Sequence, residues 1–164
     1  MSNEYCVEIG KSKVIQNYFD DHKDHLEFID YYGFKVSEIP LEIILSDPLL
    51  NKIDQEFKIK AGGIIRIDPF RCYKWHIDSY RGISVNLLLT PNIRSMTLFG
   101  HKANDSEDQL DIIEFTYKPE TLYWFNNQVQ HTVINFEQAR YLFTIEFKLH
   151  KDLLDFNRVR PESV

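Results

Sequence analysis

His76 and Asp78 stand two residues apart in the run Lys74-Trp75-His76-Ile77-Asp78, and far downstream come His131 and, nine positions after it, Arg140. Two imidazoles and one carboxylate can occupy one face of an octahedral metal ion such as Fe(II). The remaining positions then stay open for a chelating co-substrate and O2. An arginine beyond the last histidine could hold the far carboxylate of that co-substrate. The same ligands also suit a zinc-dependent hydrolase, although hydrolysis makes no demand for Arg140.

The His-x-carboxylate spacing alone does not distinguish a ligand pair, because His22-Lys23-Asp24 and His25-Leu26-Glu27 share it. In a helix, residues i and i+2 point to different sides, whereas in an extended segment they share a face. His22 and His25 fall in a stretch with helical periodicity and read as solvated surface groups. His76 and Asp78 lie in an extended stretch and can converge.

The elements that must position these residues follow from apolar spacing. Over 11–32, Val14, Ile15, Tyr18, Phe19, Leu26, Phe28, Ile29 and Tyr32 recur largely at three- and four-residue steps, which predicts an amphipathic helix ended by Gly33. Ser46-Asp47-Pro48 predicts the start of a second helix running to about Phe57, with aspartate as cap and proline in the first turn. After Gly62-Gly63 the chain turns to short runs of β-branched and aromatic residues. Strands are expected at 64–67, 83–90, 95–99, 110–117, 121–125, 131–135 and 140–148, with an exposed connection over 101–109 containing Asn104-Asp105.

Alternation along the last strand divides it into two faces. Tyr141, Phe143, Ile145 and Phe147 make one side wholly apolar, which the N-terminal helices must cover. Arg140, Leu142, Thr144 and Glu146 face the other way, into a polar interior. In Ser84-Val85-Asn86-Leu87-Leu88-Leu89, Ser84 and Asn86 likewise oppose Val85, Leu87 and Leu89, with Gly82 the place where a bulge would reset the alternation. A buried Arg140 needs an anionic partner, either a structural carboxylate such as Glu146 or a ligand. Trp75 and Trp124 read as core aromatics of strands.

The 164 residues suggest one domain, with a helical layer over 1–60, a β core over 61–150 and a polar, loosely held tail from Asp155 within 151–164. Lys and Arg number 19 against 25 Asp and Glu, a net charge of −6, and no basic cluster supplies a footprint for nucleic acid. Cys6 and Cys72, the only cysteines, form no disulfide framework. Met1-Ser2-Asn3-Glu4-Tyr5 has no secretory pattern, and no apolar run approaches the ~20 residues a membrane helix requires. A soluble, cytoplasmic protein without a membrane or nucleic-acid partner is expected.

The order His76-x-Asp78, His131, Arg140, set in short strands behind helices, resembles the 2-oxoglutarate- and Fe(II)-dependent oxygenases. More narrowly, Trp75-His76-Ile77-Asp78-Ser79-Tyr80-Arg81, the later Asn86, Gln130-His131-Thr132-Val133-Ile134-Asn135 and Arg140-Tyr141-Leu142-Phe143 are similar to compact bacterial and viral chains grouped with aspartyl/asparaginyl β-hydroxylases and prolyl hydroxylases. The resemblance covers roughly 64–148. It implies a mainly β double-stranded β-helix, or jelly-roll, with the helices on the outer face of one sheet. It implies Fe(II) held by His76, Asp78 and His131, 2-oxoglutarate gripped by Arg140, and O2 at the remaining position. The outcome would be succinate, CO2 and a hydroxylated amino-acid side chain, free or in a peptide.

Two departures from the pattern stand out. Some aspartyl/asparaginyl β-hydroxylases have glycine where this chain has Asp78. Related halogenases also have a small residue there, so Asp78 favours hydroxylation over halogenation. Many relatives place a serine two residues after the arginine, where this chain has Leu142, so Thr144 or Tyr123 is expected to supply that hydroxyl. Arg81 and Asn86 are expected to contact substrate or co-substrate. Neutral imidazoles are needed for coordination, so iron binding is expected to weaken as pH falls through ~6.5. A metal-free jelly-roll binding module for a sugar or small anion is a third reading of the same residues.

Overall fold

Strand-forming residues begin earlier and helices are shorter than the apolar spacing suggests. The structure, a computed structural model, describes residues 5–104, 108–156 and 159. In chain order the elements are β1 (Cys6–Lys11), α1 (Val14–His22), β2 (Ile29–Tyr31), β3 (Phe34–Glu38), α2 (Leu41–Leu45), α3 (Pro48–Phe57), β4 (Ile59–Ile67), β5 (Cys72–His76), β6 (Ile83–Leu88), β7 (Ser95–Lys102), β8 (Leu110–Phe115), β9 (Thr121–Asn126), β10 (Gln130–Asn135) and β11 (Arg140–Phe147). They form a seven-stranded sheet in the order β1-β9-β6-β11-β4-β3-β2 and a four-stranded sheet in the order β5-β10-β7-β8. Every neighbouring pair is antiparallel.

The helix expected over 11–32 stops at His22. Leu26, Phe28, Ile29 and Tyr32 fit helical steps, but the segment from Ile29 to Glu38 is a hairpin in which Tyr31 pairs with Phe34. Its two-residue loop, Tyr32-Gly33, has positive φ at both positions, 46° and 89°. Two left-handed residues match the twist of a tight hairpin, so Gly33 serves a turn rather than a helix end. The first sixty residues therefore contribute four strands or parts of strands beside the helices.

At α3 the expected punctuation holds. Asp47 caps the helix, its Oδ1 accepting from the backbone N–H groups of Leu49 (2.9 Å) and Leu50 (3.0 Å), and Pro48 occupies the first turn. The other carboxylate oxygen accepts the Ser12 hydroxyl at 2.5 Å. Nothing in the apolar spacing marked β1, β5 or the short α2.

The helices cover the outer face of the seven-stranded sheet, as the alternation in β11 requires. Ile15 and Phe19 of α1, Ile44 of α2, and Leu50 and Ile53 of α3 share one core with Phe143, Ile145, Val85, Leu87 and Trp124. Trp124 is fully buried there. The contact is close at Gly62, where an added Cβ would lie 2.5 Å from Ile44 Cδ1. β6 runs through its pairings without a register shift, so Gly82 does not reset its faces. At Gly82 the chain instead meets the C-terminal segment, where an added Cβ would lie 2.2 Å from the Leu154 carbonyl oxygen.

The expected loosely held tail is anchored at its described apolar residues. Leu154, Phe156 and Val159 are buried in the same core, while 157–158 and 160–164 lie outside the described residues. The exposed connection also begins later than expected, since His101 and Lys102 belong to β7. Asp105 and its neighbours to 107 lie outside the described residues, as do Met1 to Glu4. Among the described residues no helix is long and apolar enough to cross a membrane.

Asp47→Ala removes a cap and leaves the buried Ser12 hydroxyl without its acceptor. A loss of about 1–2 kcal/mol in urea unfolding is expected. Unchanged stability would show that the cap contributes nothing to holding the helical layer.

Candidate metal and dicarboxylate site

Register brings the two histidines together. In the pairing of β10 with β5, His131 lies opposite His76, and opposed residues of an antiparallel pair have neighbouring side chains. The imidazole centroids are 4.2 Å apart. Asp78 follows β5 by two residues, and its backbone N–H donates to the Asn127 carbonyl at 3.0 Å, which ties it beside the start of β10. One ligand atom each from His76, Asp78 and His131 lies within 4.8 Å of the others.

The hydrogen bonds fix which atoms face the centre. His76 Nδ1 lies 2.9 Å from the Lys74 carbonyl and His131 Nδ1 2.8 Å from the Val129 carbonyl. A carbonyl only accepts, so both Nδ1 atoms carry hydrogen and, in the neutral ring, both Nε2 atoms present lone pairs. Those lone pairs face Asp78 Oδ1 at 3.3 and 3.9 Å. Three acceptors aimed at one point repel unless a cation sits among them.

Asp78 Oδ2 is turned away from that point. It accepts from Arg81 Nε at 2.8 Å and Arg81 Nη2 at 2.7 Å. Burial raises the Asp78 carboxyl pKa, but the Arg81 guanidinium and the adjoining His76 and His131 outweigh it and hold the group below the ordinary carboxylate range. His131 moves the other way for its class: burial lowers it to about 4, against the raising effect of the Val129 carbonyl. Its proton therefore does not compete with a metal near pH 6.5, and for this ligand the expected midpoint moves down.

Arg140 opens β11 on the interior face and is 1% exposed. Its Nη2 donates to Thr97 Oγ1 of the opposite sheet at 2.9 Å, while its Nε is buried with no hydrogen-bond partner among the described residues. Among the described residues no carboxylate pairs with it. Glu146, the structural candidate, is occupied by Lys60 at 2.9 Å. Tyr117 lies under the guanidinium, with its ring centroid 5.8 Å from Cζ. Burial raises the Tyr117 phenol well above its ordinary value. The neighbouring Arg140 charge and Asn86 act against that rise.

The triad and Arg140 line one cavity of about 1540 Å³ between the two sheets, with Asn86, Tyr117, Leu142 and Thr144 also on its wall. Tyr123 does not reach it. Its hydroxyl accepts the Lys118 N–H at 3.3 Å, and its ring packs with Leu88 and Tyr117. Thr144 lines the cavity but its hydroxyl is engaged, accepting from Arg81 Nη1 (3.1 Å) and donating to Asn86 Oδ1 (2.7 Å). Arg81 thus points to Asp78 and Thr144. His22 and His25 are exposed and remote from the cluster. Sequence reasoning missed Tyr117, which lies just past β8 and is brought to Arg140 only by the folding of the sheets.

The fold has known counterparts among solved structures. A 2OG-Fe(II) oxygenase family protein from Burkholderia pseudomallei superposes with TM-score 0.60 at 15% identity, over 80% of this chain and 76% of that one. A Pseudomonas putida prolyl-4-hydroxylase matches with TM-score 0.60 at 14% identity, over 88% and 92%. A Trichoplax adhaerens prolyl hydroxylase, solved with a hypoxia inducible factor peptide fragment, matches with TM-score 0.62 at 12% identity, over 96% and 88%. The chain has their fold. No protein-family model matches it, and no curated protein matches it in sequence.

The depressed His131 pKa sets a pH dependence of stability. An unfolded histidine takes up a proton near pH ~6.5 that the folded site refuses until about pH 4, so the metal-free protein should lose stability as pH falls across that window. Urea unfolding from pH 7 to 4 should show this slope, and His131→Leu should flatten it. An equal slope in the variant would contradict the assignment.

Proposed function

We propose that the protein is a 2-oxoglutarate- and Fe(II)-dependent oxygenase that hydroxylates an amino-acid side chain, free or within a peptide. The observation that carries this reading is the pairing of two incomplete sites in one cavity. Three acceptors converge on one point, and a buried guanidinium has no carboxylate partner among the described residues. A metal ion and a dicarboxylate that also chelates that metal would complete both.

The residues fit the metal. His76 and His131 would offer Nε2 and Asp78 would offer Oδ1, a set suited to Fe(II) with open positions. The bound iron would supply the O2 chemistry, in which 2-oxoglutarate is decarboxylated to succinate and CO2 while one oxygen atom enters a C–H bond. The chain's own contribution is orientation and shielding. Arg140 would hold the far carboxylate through its two-nitrogen fork, which lysine does not reproduce. Tyr117 would donate its O–H to the same carboxylate, in the role expected of Thr144 or Tyr123. Leu142, Val133 and Ile67 supply apolar wall that keeps water from the gripped carboxylate. A cavity of about 1540 Å³ exceeds what a small diacid fills and leaves room for a second substrate.

The fold similarity to proteins described as 2OG-Fe(II) oxygenases and prolyl hydroxylases supports the reading. A zinc hydrolase would leave Arg140 and Tyr117 without a use, and a metal-free binding module would leave the three converging acceptors unsatisfied.

Release of succinate from 2-oxoglutarate in the presence of added Fe(II) is expected, with complete loss in His131→Ala and Asp78→Ala. Arg140→Gln should raise the KM for 2-oxoglutarate roughly 30-fold or more, the equivalent of about 2 kcal/mol for a buried charge contact. Zn(II)-supported hydrolysis with no succinate would reverse the proposal in favour of a hydrolase, and no metal uptake would favour a binding module.

A further inference from the structure

Resting on the reading of His76, Asp78 and His131 as metal ligands, we propose that Arg81 is a positioning residue that holds Asp78 as a one-oxygen ligand and is itself braced by Thr144. The carboxylate of an aspartate turns easily about its last torsion, so either oxygen, or both, could face a metal. Here Oδ2 takes two N–H bonds from one guanidinium, Nε at 2.8 Å and Nη2 at 2.7 Å, and Oδ1 alone faces the histidines.

The brace reaches into the sheet. Arg81 Nη1 donates to Thr144 Oγ1 at 3.1 Å, and the Thr144 proton goes to Asn86 Oδ1 at 2.7 Å, across a pairing in which Thr144 and Asn86 are register partners on β11 and β6. The backbone between ligand and arginine is clamped as well. The side-chain amide of Gln128 donates to the carbonyls of both Asp78 (3.0 Å) and Arg81 (2.7 Å). All three guanidinium nitrogens of Arg81 are engaged inside the protein, so it fixes a ligand instead of reaching for substrate.

The test is anaerobic calorimetric titration of the metal-free protein with Mn(II), together with the visible spectrum of the Co(II) form. Arg81→Lys keeps the charge and loses the fork, and Arg81→Gln loses the charge. A positioning role predicts that both weaken Mn(II) binding about 10- to 100-fold, the usual effect of removing a partner of a metal ligand. Thr144→Val should weaken it in the same direction, and the Co(II) bands of all three should change intensity as Asp78 turns. Unchanged Mn(II) affinity and Co(II) spectra would overturn the proposal. So would tighter binding in Arg81→Gln with none of the loss in Arg81→Lys, which is the signature of charge alone. Should Arg81→Gln fail to fold, Arg81→Lys and Thr144→Val decide by the same readings. Failure of the unaltered protein to bind Mn(II) would refute the metal reading itself, a result distinct from failure of the brace.

Discussion

A guanidinium buried between two sheets with no carboxylate beside it among the described residues is the most demanding feature of this fold. Arg140 is 1% exposed, its Nε is buried without a hydrogen-bond partner among the described residues, and its Nη2 donates to the neutral Thr97 hydroxyl. An unpaired buried charge costs several kcal/mol, so a chain without a use for it would replace it with an apolar residue. The position of Arg140 follows from strand alternation. Placing Tyr141, Phe143, Ile145 and Phe147 under the helices forces Arg140, Leu142 and Thr144 into the cavity. The core and the site are therefore two faces of one strand.

The second sheet supplies the other half. The antiparallel register of β5 and β10 sets His76 against His131, and backbone carbonyls two residues before each ring fix both tautomers. The three acceptors converge in the same cavity that Arg140 lines. Hydrogen-bonded side chains run from Asn86 through Thr144 and Arg81 to Asp78. This line of hydrogen bonds gives Thr144 and Asn86 polar partners on the cavity side of β11 and β6.

The triad, Arg140 and the two faces of β11 were legible because each rests on a short, strict pattern: a His-x-Asp in an extended run, and an eight-residue strand alternating without a break. The hairpin from Ile29 to Glu38 was not, because four apolar residues fit helical and extended spacing equally well until Tyr32-Gly33 is recognised as a left-handed pair. The buried end of the chain escaped for a related reason, since Phe156 and Val159 are isolated apolar residues in a polar context. Tyr117 could not be read at all, because its role depends on which strand faces Arg140 across the fold. Arg81 was expected to contact substrate or co-substrate, and its guanidinium is held by Asp78 and Thr144. Its partner is set by the Gln128 clamp, a contact about fifty residues away in sequence.

A crystal structure of the protein grown anaerobically with Mn(II) and 2-oxoglutarate tests the central claim most directly. The account predicts one metal ion bound by His76 Nε2, His131 Nε2 and Asp78 Oδ1, with the far carboxylate of the diacid against Arg140 and the Tyr117 hydroxyl. A metal bound elsewhere, or a diacid that leaves Arg140 unpaired, would contradict it.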